Sequence, residues 1–565
     1  MIDLNKITVD ELKQMSKLEL IELSNEIRHF LIALGKEKEI HLSSNLGIVE
    51  LTISLFLQFD FLKDKIIYDT GHQTYVHKIL TNRINELKEI RTDKTTGGLM
   101  QLSNNKYDHY APGHSGNSLS VLCGMYNCKN YNVCIIGDSS LNNGLMFEAL
   151  NYLGEQKLKK TIIILNDNEM SISKSKGALS IHLNNIDHKS NLFTNLSIQY
   201  LGPIDGHDIS QLLEYLDKAK KLSKDGPILL HIKTTKGKGY KLAEIDKIGE
   251  YHSSLNTSLM RFGDCAYQNL KNKLKLDNDL FIINPAMNFG TGFTNLLRNK
   301  NYIDTGICES HAMSISSGLA LSNKKVFAIF YSTFLQRAYD QIIHDCIRFK
   351  IHLTLLIDRA DITPHEGDSH QGIFDVGYLN CLPNINIYAP RNFNQLNYLI
   401  DYSYKNKNYG IDAIRYPTKP YLNIEIIDNN LFELNKFEYL FENNSKICLI
   451  TYGPYTNVIY DYFSTNKINC NIVSTIKINY LNENEIIKLF DKFEKIIVYE
   501  RIYGSHGLYD QLIKELIKLE KFKSKIEIHL MSYKNFVGVG TNNSIDKKNQ
   551  MDIESIVSLI NKITK

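Results

Sequence analysis

The chain has 565 residues, which is too long for one hydrophobic core and predicts about three domains. It is 43% hydrophobic and 22% charged, with a formal net charge of +3, and its lysines are scattered along the chain. This balance is typical of a globular protein and argues against a nucleic-acid-binding surface. Nine cysteines without a C-x-x-C pair predict buried thiols in a reducing compartment rather than a zinc site.

The first predicted element is an acidic helical segment at residues 1–34, which lacks the basic and apolar regions of a signal peptide. It also lacks the arginine and serine bias of a transit peptide. No apolar run along the chain approaches the length of a membrane span. We therefore expect a cytoplasmic enzyme that has neither a membrane nor a nucleic acid as its partner.

Four apolar runs in the first third of the chain predict strands that end in glycine or polar residues: "KIIYDTG", "NVCIIGDSS", "KTIIILNDN" and "PILLHIKTTKG". Helical periods separate them, which favours α/β layers. Ligands of open parallel sheets bind beyond the carboxyl ends of the strands, so these endings predict a common binding edge. A new helix is predicted near Thr257, and we place a domain boundary after residue 254.

The middle third repeats the pattern in "LFIINPAM", "VFAIFYSTF", "IHLTLLIDRA", "INIYAP" and "YGIDAIRYP". A polar, acidic connection follows Pro420, and a third α/β unit begins at "KICLITYGP". The sequence therefore predicts three doubly wound α/β domains with mostly parallel sheets, at residues 1–254, 255–425 and 426–565.

The stretch "IIGDSSLNNGLMFEALNYL" (135–153) passes from a strand to a helix through an acidic turn at Asp138, and Asn168 ends the next predicted strand. Carboxylate and amide oxygens suit Mg²⁺ beside a phosphate, and helix N-termini attract anions. Taken singly, Asp138 could be a helix N-cap and Asn168 a turn residue. The two strand ends together favour a metal–diphosphate site.

Further motifs extend over nearly the whole chain: "HLSSNLGIVELTISL" (41–55), "YDTGHQTYVHKILTNR" (68–83), "APGHSGNSLS" (111–120), "LNDNEMSIS" (165–173), "TTKGKGYKLAE" (234–244), "GICESHAMSISSGLAL" (306–321), "YSTFLQRAYDQIIHD" (331–345) and "DSHQGIFDVGYL" (368–379). In this order, and with the G-D…N pattern, they resemble the 1-deoxy-D-xylulose-5-phosphate synthase family of transketolase-like enzymes. The resemblance implies domains of transketolase type, a homodimer, and a transferase that uses thiamine diphosphate and Mg²⁺. Its expected substrates are pyruvate and D-glyceraldehyde 3-phosphate.

The resemblance also implies the site residues. Those expected to bind the cofactor are His72, Gly113, His114, Ser115, Asp138, Ser139, Ser140, Asn168, Tyr240 and Glu309. The expected metal ligands are Asp138, Asn168 and Met170. The expected catalytic residues are Glu309, His252, His370, His72 and His41. The expected substrate-binding residues are Tyr331, Arg359, Glu366, His370 and Arg415.

Four of these residues can also be judged from their surroundings. Glu309 is the one carboxylate in the nearly uncharged "GICESHAMSISSGLALS", which predicts a buried, functional acid. Arg359 and Arg415 both follow apolar runs. An arginine there could bind phosphate, but Arg359 could equally form a strand-end salt bridge and Arg415 could be a surface charge. The "KGKGY" around Tyr240 could likewise be only a basic loop.

The chain departs from the family pattern at several positions. Ser139 replaces a glycine that lets the backbone approach phosphate; we expect its φ to be negative, in which case the serine is unstrained. Glu366 and Ser369 replace an aspartate and a threonine, and "RYPTKP" lacks a second arginine. These changes keep two alternatives open: a carboligase with another acceptor aldehyde, and a non-catalytic paralogue retained for binding.

Overall fold

The computed structural model of the chain describes residues 2–92, 98–100, 102, 105–170, 177–246, 249, 251, 259–422, 433–520 and 526–564. The chain forms two compact units. The first consists of Met1–Asn256 with Gly306–Cys308, and the second consists of Thr257–Thr305 with Glu309–Lys565.

The first unit contains one parallel sheet in the strand order β1-β2-β3-β5-β4. Its strands are β1 (Lys65–Tyr68), β2 (Asn132–Gly137), β3 (Thr161–Asp167), β4 (Gln199–Asp205) and β5 (Ile228–Lys233). Its helices are α1 (Val9–Leu12), α2 (Lys17–Glu37), α3 (Leu42–Leu46), α4 (Val49–Gln58), α5 (Tyr75–Leu80), α6 (Ile84–Lys88), α7 (Ser118–Met125), α8 (Gly144–Gln156), α9 (Ala178–Asn184), α10 (Leu192–Asn195), α11 (Ile209–Leu222) and α12 (Lys241–Glu244).

The central strands of this sheet are buried on both faces, as expected for a parallel sheet covered by helices. Successive side chains of a strand point to opposite faces. In β2, Val133 and Ile135 accordingly belong to one apolar core, whereas Cys134 and Ile136 belong to another. The unbroken apolar run therefore serves two helical layers at once.

The second sheet lies in the second unit and has the strand order β10-β11-β9-β8-β6-β7, again parallel throughout. Its strands are β6 (Leu280–Ile283), β7 (Tyr302–Ile303), β8 (Lys325–Tyr331), β9 (His352–Asp358), β10 (Ile385–Tyr388) and β11 (Gly410–Arg415). The helices around it are α13 (Phe262–Leu276), α14 (Glu309–Leu321), α15 (Ser332–Leu335), α16 (Tyr339–Gln341), α17 (Asp375–Asn380) and α18 (Phe393–Lys405).

The third sheet has the order β12-β14-β13-β15-β16, and only the pairing of β12 with β14 is antiparallel within it. Its strands are β12 (Glu438–Phe441), β13 (Ile447–Thr451), β14 (Asn471–Ser474), β15 (Lys495–Tyr503) and β16 (Glu527–Tyr533). Its helices are α19 (Tyr455–Asn466), α20 (Glu483–Lys492), α21 (Leu508–Lys518), α22 (Asn542–Lys548) and α23 (Ile553–Thr564).

The predicted fold class, α/β with mostly parallel sheets, is confirmed. One apolar core includes Leu355 of the second sheet together with Ile450 and Val498 of the third, which explains why these two sheets form a single compact unit. The predicted boundaries after residues 254 and 425 lie outside the described residues, so the division into three domains stays a prediction. In the described part of the chain, no helix combines the length and apolarity needed to cross a membrane.

Candidate active site

Asp138 and Asn168 follow the ends of two neighbouring strands. β2 and β3 pair in parallel with Gly137 opposite Asn166, and the Asp138 N–H donates to the Asn166 carbonyl at 3.3 Å. Asp138 is 5% exposed. The carboxyl ends of parallel strands share one edge, so both side chains belong to the edge that the sequence predicts. We call Asp138–Ser140 and Asn168 the carboxyl edge.

The sequence also allows a structural role for each residue, a helix N-cap for Asp138 and a turn for Asn168. Asp138 as the helix N-cap is wrong, because Asn143 caps α8 by accepting a hydrogen bond from the Leu145 N–H. Asn168 as a turn residue is confirmed, since its Oδ1 accepts from the Met170 N–H at 3.0 Å. Its amide oxygen still has a second lone pair for a metal ion.

Ser139 has φ −73° and ψ −35°, in the right-handed helical region. The expectation of a negative φ is therefore confirmed, and the serine replaces the family's glycine without backbone strain. Ser140, which is buried, begins a short 3₁₀ helix that ends at Asn142. This turn also contacts residues 306–308, where Cys308 Sγ donates to the Asn142 carbonyl and Asn143 Nδ2 donates to the Ile307 carbonyl.

His41 and His72 stack on each other, with ring centroids 4.1 Å apart and 18° between the ring planes. Asn45, which is fully buried, holds both of them: its Nδ2 donates to the His41 carbonyl at 2.8 Å and to the His72 carbonyl at 2.7 Å. Its Oδ1 accepts from the Tyr75 N–H. Sequence reasoning missed Asn45, although it lies in the quoted "HLSSNLG".

The loop that carries Gly113, His114 and Ser115 is fixed by Asp69, the residue after β1. The Asp69 carboxylate accepts from the N–H groups of Gly116 and Ser118 at 2.8–3.1 Å. A Cβ at Gly71 would lie 2.1 Å from the Pro112 carbonyl oxygen, so glycine is required where this loop meets the His72 turn.

Lys236 is a second residue that sequence reasoning missed. Burial lowers its pKa to about 8, while the Asp246 and Asp138 carboxylates oppose that shift. The backbone of its loop is tied at two points: Thr235 N–H donates to His207 Nε2, and Gly237 N–H donates to the Ser43 carbonyl. "KGKGY" is thus an ordered loop that brings an amine within electrostatic reach of Asp138, and Tyr240 follows it.

Glu309 is the first residue of α14 and is 2% exposed, as its apolar surroundings predict. Arg337 Nη1 lies 3.6 Å from its Oε2, but no group among the described residues donates a hydrogen bond to that oxygen. Burial raises the pKa of Glu309, and Arg337 opposes the rise. A buried carboxyl with an unused oxygen fits a cofactor that accepts its proton.

Four predicted substrate residues of the second unit lie near one another; we call Tyr331, Arg359, Glu366 and His370 the Tyr331 cluster. The guanidinium carbon of Arg359 lies 3.7 Å from the Tyr331 ring centroid. Phe334 stacks on Tyr331 at 5.3 Å and contacts His370 edge-on at 5.8 Å. Burial raises the pKa of Tyr331 to about 12, and the nearby Glu366 carboxylate acts in the same direction.

The two arginines at strand ends have different partners. Arg359 pairs with Asp358 at 3.1 Å, as its salt-bridge alternative predicts, and its hydrogen bonds within the described residues all run through Nη1. Arg415 as a surface charge is wrong, because it is 5% exposed. Its Nε and Nη2 bind Asp375 at 2.8 and 3.1 Å, and Nη2 also binds the Gly372 carbonyl. His252 lies outside the described residues.

The chain is similar to known proteins over nearly its whole length. The family model described as 1-deoxy-D-xylulose-5-phosphate synthase matches residues 4–192 and 184–234, and that of the transketolase pyrimidine-binding domain matches residues 261–422. The chain is 36% identical over 617 residues to the 1-deoxy-D-xylulose-5-phosphate synthase of Malacoplasma penetrans, covering 98% of this chain and 99% of that relative. It is 33% identical over 577 residues to the synthase of Buchnera aphidicola, covering 98% and 96%. A transketolase structure from Campylobacter jejuni aligns with a TM-score of 0.43 and 17% identity, covering 98% of this chain and 100% of that one.

Proposed function

Because the chain belongs to the 1-deoxy-D-xylulose-5-phosphate synthase family, we propose that it condenses pyruvate with D-glyceraldehyde 3-phosphate, releasing CO₂ and 1-deoxy-D-xylulose 5-phosphate. It is a transketolase-like transferase that depends on thiamine diphosphate and Mg²⁺. The product is a precursor of isoprenoids, thiamine and pyridoxal. Relatedness over 98% of the chain favours this reaction over another acceptor aldehyde or a non-catalytic role.

The environment of Glu309 supports this function most strongly. Thiamine diphosphate supplies, when bound, a nucleophilic carbon that can hold the electrons released by decarboxylation. Glu309 is buried and its Oε2 lacks a hydrogen-bond donor among the described residues, so this carboxyl suits a ring nitrogen that accepts its proton. Burial raises the Glu309 pKa, which favours the protonated carboxyl that such a ring nitrogen requires.

The carboxyl edge would hold the metal and the diphosphate. We assign the Mg²⁺ ligands to the Asp138 carboxylate, the Asn168 amide oxygen and the Met170 main-chain carbonyl, because this ion prefers hard oxygen donors to a thioether. We assign the diphosphate to Lys236 and to the loops that carry His114, Ser115, Ser139, Ser140 and Tyr240. Support for Lys236 comes from its electrostatic contact with Asp138, because a metal and a phosphate would share that neighbourhood.

The Tyr331 cluster would bind the phosphorylated aldehyde. Arg359 makes its described hydrogen bonds through Nη1, so we assign Nε and Nη2 to the phosphate. Arg415 makes its own through Nε and Nη2 among the described residues, so only Nη1 is assigned to substrate. His370, oriented by Ser369 Oγ at 2.8 Å from Nδ1, would move a proton, as would His41, His72 and His252.

The proposal is tested by incubating the protein with pyruvate, D-glyceraldehyde 3-phosphate, thiamine diphosphate and Mg²⁺ and identifying the product by mass spectrometry. We expect 1-deoxy-D-xylulose 5-phosphate and one equivalent of CO₂. Parallel reactions with unphosphorylated glyceraldehyde test the role of the phosphate. A preference for another aldehyde would support the carboligase alternative, and absence of any product would support the non-catalytic one.

We further propose a homodimer in the cytoplasm. The dimer rests on the family resemblance, and the cytoplasmic location is supported by nine cysteines that are all free thiols in the structure. Light scattering of the purified protein tests the dimer, which has twice the 64.9 kDa of one chain. Cell fractionation tests the location.

A further inference from the structure

The loop at residues 361–372 carries Glu366 and His370 of the Tyr331 cluster. Its ends are joined by two hydrogen bonds, from Asp361 N–H to the Gly372 carbonyl at 2.7 Å and in the reverse direction at 2.8 Å. The contacts that hold the two ends and the middle of this loop therefore determine where Glu366 and His370 lie.

The base of the loop is held by Arg501, a buried residue of β15 in the third sheet. Arg501 Nε lies 2.8 Å from both carboxylate oxygens of Asp361, and its Nη1 lies 3.0 Å from Asp546 Oδ2 and from Tyr499 Oη. Tyr421 Oη donates to Asp361 Oδ2 at 2.9 Å. One guanidinium thus links the loop to α22.

The loop is also hydrogen-bonded to the segment that follows β16. The His365 N–H donates to the Gly540 carbonyl at 3.1 Å, and Gln371 Nε2 donates to the Gly538 carbonyl at 3.4 Å. Gln371 also accepts from the Thr363 N–H and donates to the Thr363 carbonyl, which makes the loop internally stiff. These hydrogen bonds and the Arg501 ion pair therefore all connect the loop to the part of the chain that carries the third sheet.

Asp361 shows that these contacts impose the loop's path. Its φ of +93° is a backbone conformation that residues with a Cβ rarely adopt. Such a conformation persists where the surrounding contacts over-determine it. The Arg501 ion pair supplies that constraint, because Asp361 is itself buried.

We propose that Arg501, Asp361 and Asp546 form a clamp by which the third sheet positions Glu366 and His370 for the acceptor aldehyde. This rests on the proposed function of the Tyr331 cluster. Arg501 acts through the loop and is a positioning residue. The clamp gives the C-terminal part of the chain, to which the sequence assigned no role, a task in the second half of the reaction.

The test compares Arg501→Lys with Arg391→Lys. Lysine keeps the charge but replaces the planar guanidinium, whose Nε and Nη1 bind Asp361 and Asp546 separately, by a single nitrogen. Arg391 is equally buried and joins the part of the chain that carries the second sheet to Glu438 of β12, yet it hydrogen-bonds to no loop residue among those described.

In Arg501→Lys we expect kcat/KM for D-glyceraldehyde 3-phosphate to fall about 10- to 100-fold, because Glu366 and His370 would be misplaced. The KM for pyruvate and the Kd for thiamine diphosphate should stay within about twofold of wild type, whereas Arg391→Lys should shift only the melting temperature.

Hydrogen–deuterium exchange at residues 361–372 tests the clamp without any activity. We expect faster exchange in Arg501→Lys and unchanged exchange in Arg391→Lys. If Arg501→Lys does not fold, Asp546→Asn removes the outer anchor and should give a smaller change of the same kind. Unchanged loop exchange overturns the clamp, as does an equal rise in both substrates' KM values. A wild-type protein that makes no product contradicts the proposed function, and the exchange result then still decides the clamp.

Discussion

The carboxyl edge and the Tyr331 cluster are built in different ways. The edge uses side chains that directly follow two adjacent strands, so the main chain alone places Asp138 and Asn168. In the cluster, Tyr331 ends β8 and Arg359 follows the adjacent strand β9, but Glu366 and His370 lie on the loop at residues 361–372, whose position depends on side-chain contacts. Local chain direction therefore places the proposed cation and diphosphate site, whereas the proposed aldehyde site also depends on contacts between residues far apart in sequence.

The two regions also differ in how they use charge. Asp138 lies within electrostatic reach of Lys236, so its negative charge is opposed by a buried amine of the same unit. In the second unit, burial raises the pKa of Glu309, and the Arg359 guanidinium lies on an aromatic ring. We therefore expect the edge to bind the cofactor and the second unit to contribute proton transfer and substrate selection. Variants in each region should separate cofactor binding from turnover and substrate selection.

The largest effect is expected for Glu309→Gln. An amide cannot hold the transferable proton, so kcat should fall about 10²- to 10⁴-fold while thiamine diphosphate still binds. Turnover assays and calorimetry measure the two quantities. Glu500→Gln is the matched control: Glu500 is also buried with a raised pKa, but its oxygens accept from Leu508 N–H, Tyr509 N–H and Tyr452 Oη. It should change stability and leave turnover intact. Near-normal turnover of Glu309→Gln would refute the assignment.

Asp138→Asn should show the opposite pattern. Even outer-shell partners of metal ligands contribute about 10- to 100-fold to affinity, so loss of a ligand should weaken Mg²⁺-dependent cofactor binding by about 100-fold or more. The fold should persist, because Asn143 and not Asp138 caps α8. Calorimetry with and without Mg²⁺ measures the change, and Asp208→Asn at the N-cap of α11 serves as the control. Unchanged affinity would remove the metal site.

Arg359→Met and Arg415→Met should separate recognition from packing within the second unit. Loss of a charge-assisted bond to phosphate costs about 1.5–3 kcal/mol, so Arg359→Met should raise the KM for the aldehyde at least tenfold and leave that for pyruvate unchanged. Arg359→Met leaves the buried Asp358 without this ion-pair partner, and Arg415→Met does the same to Asp375. Both variants should therefore lower stability, by about 3–5 kcal/mol in Arg415→Met, where two nitrogens bind the carboxylate. Steady-state kinetics and thermal melts measure both. Equal shifts of both KM values in Arg359→Met would contradict the phosphate role.

The sequence predicts what depends on neighbours along the chain. Apolar runs and polar strand ends predict the parallel sheets and the shared edge of Asp138 and Asn168, and apolar surroundings predict the burial of Glu309. Partners far apart in sequence are not predictable in this way: Arg415 meets Asp375 across 40 positions, and Arg501 meets Asp361 across 140. The cap of α8 also eludes the sequence, because Asp138 and Asn143 are comparable N-cap residues and only the helix start decides.

The smallest effect is expected for Ser139→Gly, which restores the family's residue at the carboxyl edge. With φ at −73°, the serine carries no strain that glycine could relieve. Glycine would instead add backbone freedom to the unfolded chain, at a cost of about 0.5–1 kcal/mol in stability. Thiamine diphosphate affinity should therefore not rise, and it should fall only if the serine hydroxyl donates a hydrogen bond to phosphate. Calorimetry decides: a gain of tenfold or more would mean that the edge is impaired as it stands, and would revive the non-catalytic alternative. A small change or a loss would mean that the serine belongs to a working site in which residue 139 does not need to be glycine.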